Sequence, residues 1–172
     1  MKCGLALSAL AAAAVMLAAQ DHLRLNVSAS MPLGFWWVDT TPSFRTGDAV
    51  TVCLPDAVAT MARSRGYVGS GTCSGNAEPL LKTVLALEGD TVTVTPSGLA
   101  VNGRPVHGSA SLVTDTAGCP ITAVPPGRYV VQPGTLWILA TRDRRSFDSR
   151  YFGPLPLAVV QGAARPLLIW EP

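Results

Sequence analysis

The sequence predicts a mostly β domain assembled from antiparallel pieces, with one short helix, preceded by an N-terminal transmembrane segment. Three observations carry that prediction. Short runs place an apolar residue at every second position, as in Thr91 to Thr95, where Val92 and Val94 alternate with threonines. The 16 glycines and 14 prolines divide those runs and supply turn chemistry between them. Residues Cys3 to Ala19 are apolar or small apart from Ser8 and follow a single positive charge at Lys2. With 48% hydrophobic and 14% charged residues, the composition suits a turn-rich β domain joined to a membrane segment better than a helical bundle. A chain of 172 residues accommodates that segment and one ordinary domain, which divides it into an anchor at 1–20 and an exported β-rich domain at 21–172.

The length of the apolar run lies between the roughly 7 to 15 residues of a cleaved signal core and the roughly 17 to 25 of a spanning helix. A cut after Ala19 would place Leu17 three residues back, and a cut after Ala18 would place Met16 there, neither of them small. Of the two readings, an export signal or a short membrane anchor, the uncleaved signal-anchor is the favoured one, with Lys2 on the cytoplasmic side and the remainder exported. Next comes a loop, Asn26-Val-Ser-Ala-Ser-Met-Pro-Leu-Gly34, and then an aromatic first strand at Phe35 to Val38. Gly47-Asp48 turns the chain into a strand at Ala49 to Leu54. Asp56 is an N-cap for a helix over Ala57 to Arg65, and Gly66 is its stop. Val68 to Pro79 is Gly/Ser-rich and reads as a loop.

Leu80 to Leu87 is an apolar strand interrupted by one charge, Lys82, and Glu88-Gly89-Asp90 turns it into the strand Thr91 to Thr95. Leu99 to Val106 is a hairpin around Asn102-Gly103, the strongest short-range hairpin signal. Residues 107–127 are polar and without period, a surface excursion. Arg128 to Val131 and Leu136 to Ala140 are strands separated by Pro133-Gly134, and Leu157 to Val160 with Leu167 to Trp170 completes the sheet.

The net charge of +2 lacks the basic footprint of a nucleic-acid binder, which excludes nucleic acid as a partner. Of the four cysteines, Cys3 lies in the apolar run, while Cys53, Cys73 and Cys119 fall in the exported part, where disulfides are stable. A Cys53–Cys73 bridge would close a local excursion between two strands and leave Cys119 free. No Cys/His spacing has the form of a zinc site, and His22 and His107 read as ordinary polar surface residues.

Three features can carry chemistry. A lone serine in a Gly/Pro-containing loop is ordinarily a turn residue, so Ser30 alone implies nothing. Lys82, in the middle of an apolar strand, either turns its ammonium to solvent on an edge or is buried; burial would lower its pKa into the range of a general base. Together, a hydroxyl and a desolvated amine form the Ser-Lys variant of nucleophilic catalysis, and no convincing Ser-His-Asp set competes with it. Ser146, Asp148 and Arg150 lie two apart, so an extended segment would put them on one face, where they could orient the amine; the other reading is a solvated loop beside Arg142, Arg144 and Arg145.

In this order the motifs resemble a family. Ser28-Ala-Ser30-Met-Pro32 after an apolar anchor resembles the nucleophile motif of type I signal peptidases, Lys82-Thr-Val-Leu-Ala-Leu-Glu-Gly-Asp90 their lysine motif, and Ser146-x-Asp148-Ser-Arg150 their last motif. Asn26 to Gly34 and Ser146-Phe-Asp-Ser-Arg-Tyr-Phe-Gly-Pro154 are similar to the conjugative-transfer branch, the TraF-type maturation peptidases. Thr83 departs from the arginine that commonly follows the lysine. The resemblance implies a signal-peptidase-like catalytic domain with Ser30 as nucleophile, Lys82 as base, and Ser28 with the backbone N–H of Ser30 as oxyanion donors. It implies that Ser146 and Asp148 position the lysine, with Arg150 as the partner of Asp148, and that Met31 packs towards membrane, substrate or its own loop. It also implies a membrane-inserted pilin-like precursor as substrate, cleaved with or without cyclisation. It further implies an inner-membrane location with the catalytic domain on the periplasmic side, contact with the lipid bilayer and the conjugative machinery, and no metal or other cofactor. Two rival readings accompany it: a general signal peptidase acting on many leader peptides, and a non-catalytic β-rich assembly protein of a secretion apparatus.

Overall fold

A computed structural model describes residues 22–40 and 43–170. The predicted anchor at 1–20 lies outside the described residues, and among those described no helix is long and apolar enough to cross a membrane.

The strands are β1 (Leu23–Asn26), β2 (Gly34–Asp39), β3 (Ala49–Val52), β4 (Ser70–Cys73), β5 (Leu80–Ala86), β6 (Thr91–Thr95), β7 (Gly98–Val101), β8 (Arg104–Pro105), β9 (Gly127–Val130), β10 (Thr135–Leu139), β11 (Leu155–Pro156) and β12 (Val160–Ile169). Two helices, α1 (Asp56–Ser64) and α2 (Ser149–Phe152), and two single 3-10 turns interrupt them. Seven strands form one sheet in the order β1-β2-β12-β3-β5-β10-β11, and four form a second in the order β8-β7-β6-β9. Every described pairing is antiparallel. The mostly antiparallel β architecture therefore stands, with two helices instead of one among the described residues.

Apolar alternation sets the layers. Val50, Val52, Leu80, Val84 and Ile138 share a core with Ala59 and Ala62 of α1, so α1 covers one face of the large sheet. A second cluster joins Ala86, Trp137 and Leu139 to Val92, Val94 and Leu99, fastening the small sheet to the ends of β5 and β10. The Asn102-Gly103 turn has both residues at positive φ, 51° and 77°, as a two-residue primed turn requires.

Several expectations are corrected. The chain forms β1 before the serine loop, pairing Leu23 to Asn26 with Trp37 to Gly34. The predicted loop 68–79 contains β4, closed by bridges to Ala77 and by a disulfide at Cys73. The helix has Pro55 as its N-cap with no side-chain bond from Asp56, which sits inside its first turn. Of the last two apolar segments, Leu157–Val159 is a 3-10 turn, and β12 then runs from Val160 to Ile169, its register with β2 shifting between Pro166 and Leu168. His22 is no free surface residue: its ring stacks on Trp37 at 4.9 Å, and its Nδ1–H donates to the Val38 carbonyl at 2.8 Å.

Candidate active site

The loop between β1 and β2 is shaped by Asn26. Its side-chain amide donates to the carbonyls of Ser28, Met31 and Pro32 at 3.0, 3.0 and 2.9 Å, and its Oδ1 accepts from the Ser28 N–H at 3.2 Å. Trp36 Nε1 donates to the Pro32 carbonyl at 3.1 Å, and Met31 packs with Trp36 and Ala140. At the loop's end Gly34 has φ +147°, and a Cβ there would lie 2.1 Å from the Leu168 carbonyl oxygen, so only glycine lets β2 approach β12 this closely. The loop is thus held from both ends, with Ser30 at 4% exposure inside it.

On β5, strict alternation buries Leu80, Lys82, Val84 and Ala86. The β5–β10 ladder stops at Thr83 with Leu139, so the stretch from Leu80 to Lys82 has β3 on one side and no strand on the other. Into that gap comes the serine loop. Lys82 Nζ donates to Ser30 Oγ at 2.8 Å, and Lys82 is 4% exposed. Burial lowers its pKa from 10.5 to about 8; Asp148 opposes the shift and Arg150 adds to it. Ser28 Oγ lies 3.0 Å from Ser30 Oγ and accepts from the Ser30 N–H at 3.4 Å.

The segment from Ser146 to Arg150 is extended at Asp148 but turns helical from Ser149 on. Ser149–Phe152 forms a helical turn, and Asp148 is its N-cap, with a carboxylate that accepts from the Arg150 N–H. The Asp148–Arg150 pair is made by this turn: Nε and Nη2 donate to the two carboxylate oxygens at 2.8 and 2.9 Å, with both side chains fully buried. Arg150 also donates to the carbonyls of Ala110, Arg144 and Ser146. Among the described residues, no hydrogen bond joins this segment to Lys82. Neither Ser146 nor Asp148 bonds its amine, and the buried Ser146 Oγ has no hydrogen-bond partner among the described residues. Asp148 reaches Lys82 through its field alone.

Of the predicted residues, Ser28, Ser30, Lys82 and Ser146 line one cleft of about 1100 Å³, whereas Asp148 and Arg150 are buried behind its wall and do not line it. Its far wall is the 107–127 excursion, pinned by Tyr67 Oη donating to Asp115 at 2.7 Å and by Arg65 donating to the Pro120 carbonyl at 2.6 Å. Cys53 is joined to Cys73, and Cys119 is free and exposed. Sequence reasoning missed Asn26; an asparagine two residues before a turn-forming serine is the signal that could have found it.

The model of the family described as signal peptidase, peptidase S26, matches residues 2–170. A plasmid transfer protein TraF of Escherichia coli is 33% identical over 162 residues, covering 92% of this chain and 90% of that one. A conjugal transfer protein TraF of Agrobacterium fabrum is 41% identical over 151 residues, covering 87% and 84%. A solved signal peptidase I from Enterococcus faecalis matches at TM-score 0.40 and 20% identity, covering 70% of this chain and 96% of that one.

Proposed function

The chain belongs to the signal peptidase family S26, and from that premise we propose that it is a membrane-anchored serine endopeptidase that matures an exported pilin-like precursor of a conjugation apparatus. The observation that carries this reading is the 2.8 Å contact between the buried Lys82 amine and Ser30 Oγ. With a pKa near 8, about a tenth of Lys82 is neutral at pH 7, enough to serve as a base whose strength is matched to the medium.

In the reaction, neutral Nζ takes the Ser30 hydroxyl proton as Oγ bonds the scissile carbonyl carbon. The developing oxyanion accepts from the Ser30 N–H and from the Ser28 hydroxyl. In the free protein these two donors face each other, so substrate binding must turn the Ser28 hydroxyl towards the oxyanion. Collapse breaks the C–N bond, and the Lys82 ammonium returns the proton to the leaving amine. Water, deprotonated by Lys82, then resolves the acyl-enzyme; attack by the precursor's own terminal amine would release a cyclic product instead. Ser146 and Asp148 are proposed as positioning residues that act through the field and shape of the pocket.

Other observations support the setting. A disulfide suits an oxidising compartment, which supports placing this domain on the periplasmic side of the inner membrane with 1–20 as anchor. Leu25, Val27, Phe35, Leu168 and Trp170 are exposed at the β1–β2–β12 end of the sheet, next to the serine loop, and suit a site working at the bilayer surface. The names of the relatives favour a transfer-apparatus precursor over a broad set of leader peptides. The test is mass spectrometry of the pilin precursor after incubation with wild type, Ser30→Ala and Lys82→Ala in membranes, with ordinary preproteins alongside. Wild type should cut the pilin precursor alone, and a ring and a hydrolysed product differ by one water. Processing by either variant at the wild-type rate would exclude the dyad.

A further inference from the structure

Among the described residues, four buried side-chain polar atoms lack a hydrogen-bond partner: Thr51 Oγ1, Trp137 Nε1, Ser146 Oγ and Gln161 Oε1. Trp137 and Gln161 lie away from the cleft, whereas Ser146 and Thr51 both line it. Ser146 already has a proposed place in the mechanism. Thr51 does not. It is 3% exposed on β3, flanked by Val50 and Val52, which are fully buried. In the ladder it faces Leu81, and cross-strand partners lie on the same face of a sheet, so the two share the face opposite that of Val50 and Lys82. Leu81 in turn packs against the cluster of Met31, Trp36 and Ala140 beneath the serine loop.

A valine at 51 would have the same shape, continue the apolar run and leave no polar group unpaired. An unpaired buried hydroxyl lowers stability, so its presence in a cleft wall calls for a partner that arrives with the substrate. We propose that Thr51 is a specificity-determining residue whose hydroxyl hydrogen-bonds a polar side chain of the peptide bound in the cleft. Because a hydroxyl both donates and accepts, the matching group is a hydroxyl or carboxamide, as in Ser, Thr or Asn. This rests on the peptidase reading above and narrows its substrate.

The test uses the membrane-anchored full chain and a quenched-fluorescent peptide library in which each position flanking the scissile bond is varied among Ala, Val, Ser, Thr and Asn. At one position wild type should favour Ser, Thr or Asn over Ala and Val by about tenfold in kcat/KM, the size of one net hydrogen bond. Thr51→Val should reduce that preference to within about twofold, and Thr51→Ser should keep it. The Thr51→Val protein should also melt a few degrees higher, since it removes an unpaired polar group without opening a cavity. A stabilised, less selective variant is an outcome that a structural hydroxyl cannot produce. An unchanged preference in Thr51→Val overturns the proposal while leaving the peptidase reading intact. A lower melting temperature with a uniform rate loss also overturns it, because the hydroxyl is then satisfied in the free protein. If wild type cuts no peptide of the library or the precursor, the peptidase reading fails and this inference with it.

Discussion

Arg150 and Lys82 are both buried cations, and the fold treats them in opposite ways. Arg150 spends its donors on two carboxylate oxygens of Asp148 and on carbonyls of Ala110, Arg144 and Ser146, so its charge is matched and its geometry over-determined. Among the described residues Lys82 has one hydrogen-bond partner, the neutral hydroxyl of Ser30. The first arrangement stabilises a charge and fixes the loop 144–146 beside the excursion at Ala110. The second withholds compensation, so desolvation falls on the ammonium and its pKa drops to about 8. A satisfied network makes structure, and an unsatisfied amine makes a base.

This contrast can be broken in order of expected effect. Ser30→Ala and Lys82→Ala should each remove acylation, by at least about 10³-fold, while thermal unfolding stays cooperative; cleavage of the precursor by either variant would remove Lys82 from the reactive side of the comparison. Asp148→Ala, by contrast, leaves a buried guanidinium without its counter-ion and should cost about 3–5 kcal/mol of stability. Denaturant titration checks this, and the double change Asp148→Leu with Arg150→Met should cost clearly less than the single one. Next, Ser28→Ala should slow acylation by about 10² to 10³ with little change in stability, read in single-turnover kinetics.

Two smaller effects follow from the lowered pKa. The folded protein disfavours charged Lys82, whereas the unfolded chain holds it at 10.5, so the unfolded state binds more protons between about pH 8 and 10.5. Stability from this group is therefore fully present above pH 10.5, is lost as pH falls through that window, and stays lower by on the order of 3 kcal/mol below pH 8. Lys82→Met should accordingly raise the urea midpoint at pH 7, with the gain shrinking towards pH 10. Finally, kcat/KM should rise about tenfold from pH 7 to 9 as the amine deprotonates, and a flat profile would mean that Lys82 is not the base.

Features encoded within a few residues of themselves were legible. The Asn102-Gly103 hairpin and the alternation of Thr91 to Thr95 depend on local turn chemistry and a period of two, and both appear where the pattern places them. Features that depend on a distant partner were not. Leu23 to Asn26 becomes a strand by pairing with β2, and Ser70 to Cys73 by closing against Ala77, although neither stretch alternates over enough residues to signal it. The one-face reading of Ser146, Asp148 and Arg150 failed because the Asp148 carboxylate caps a helical turn instead of continuing a strand. Thr51 was illegible for another reason: a threonine in a strand is unremarkable until the structure denies its hydroxyl every partner.

By itself the sequence determined the mostly β architecture, the family, and the order in which a serine loop, a lysine strand and an Asp-Ser-Arg segment follow one another. These are matters of composition, period and spacing, which the linear chain carries. Only the tertiary structure decided that Lys82 is desolvated, that its amine meets Ser30 at 2.8 Å, and that Asp148 serves Arg150 by contact and Lys82 only through its field. Burial and field are sums over everything packed around a group, so they exist only once elements 52 residues apart in the chain have been brought together.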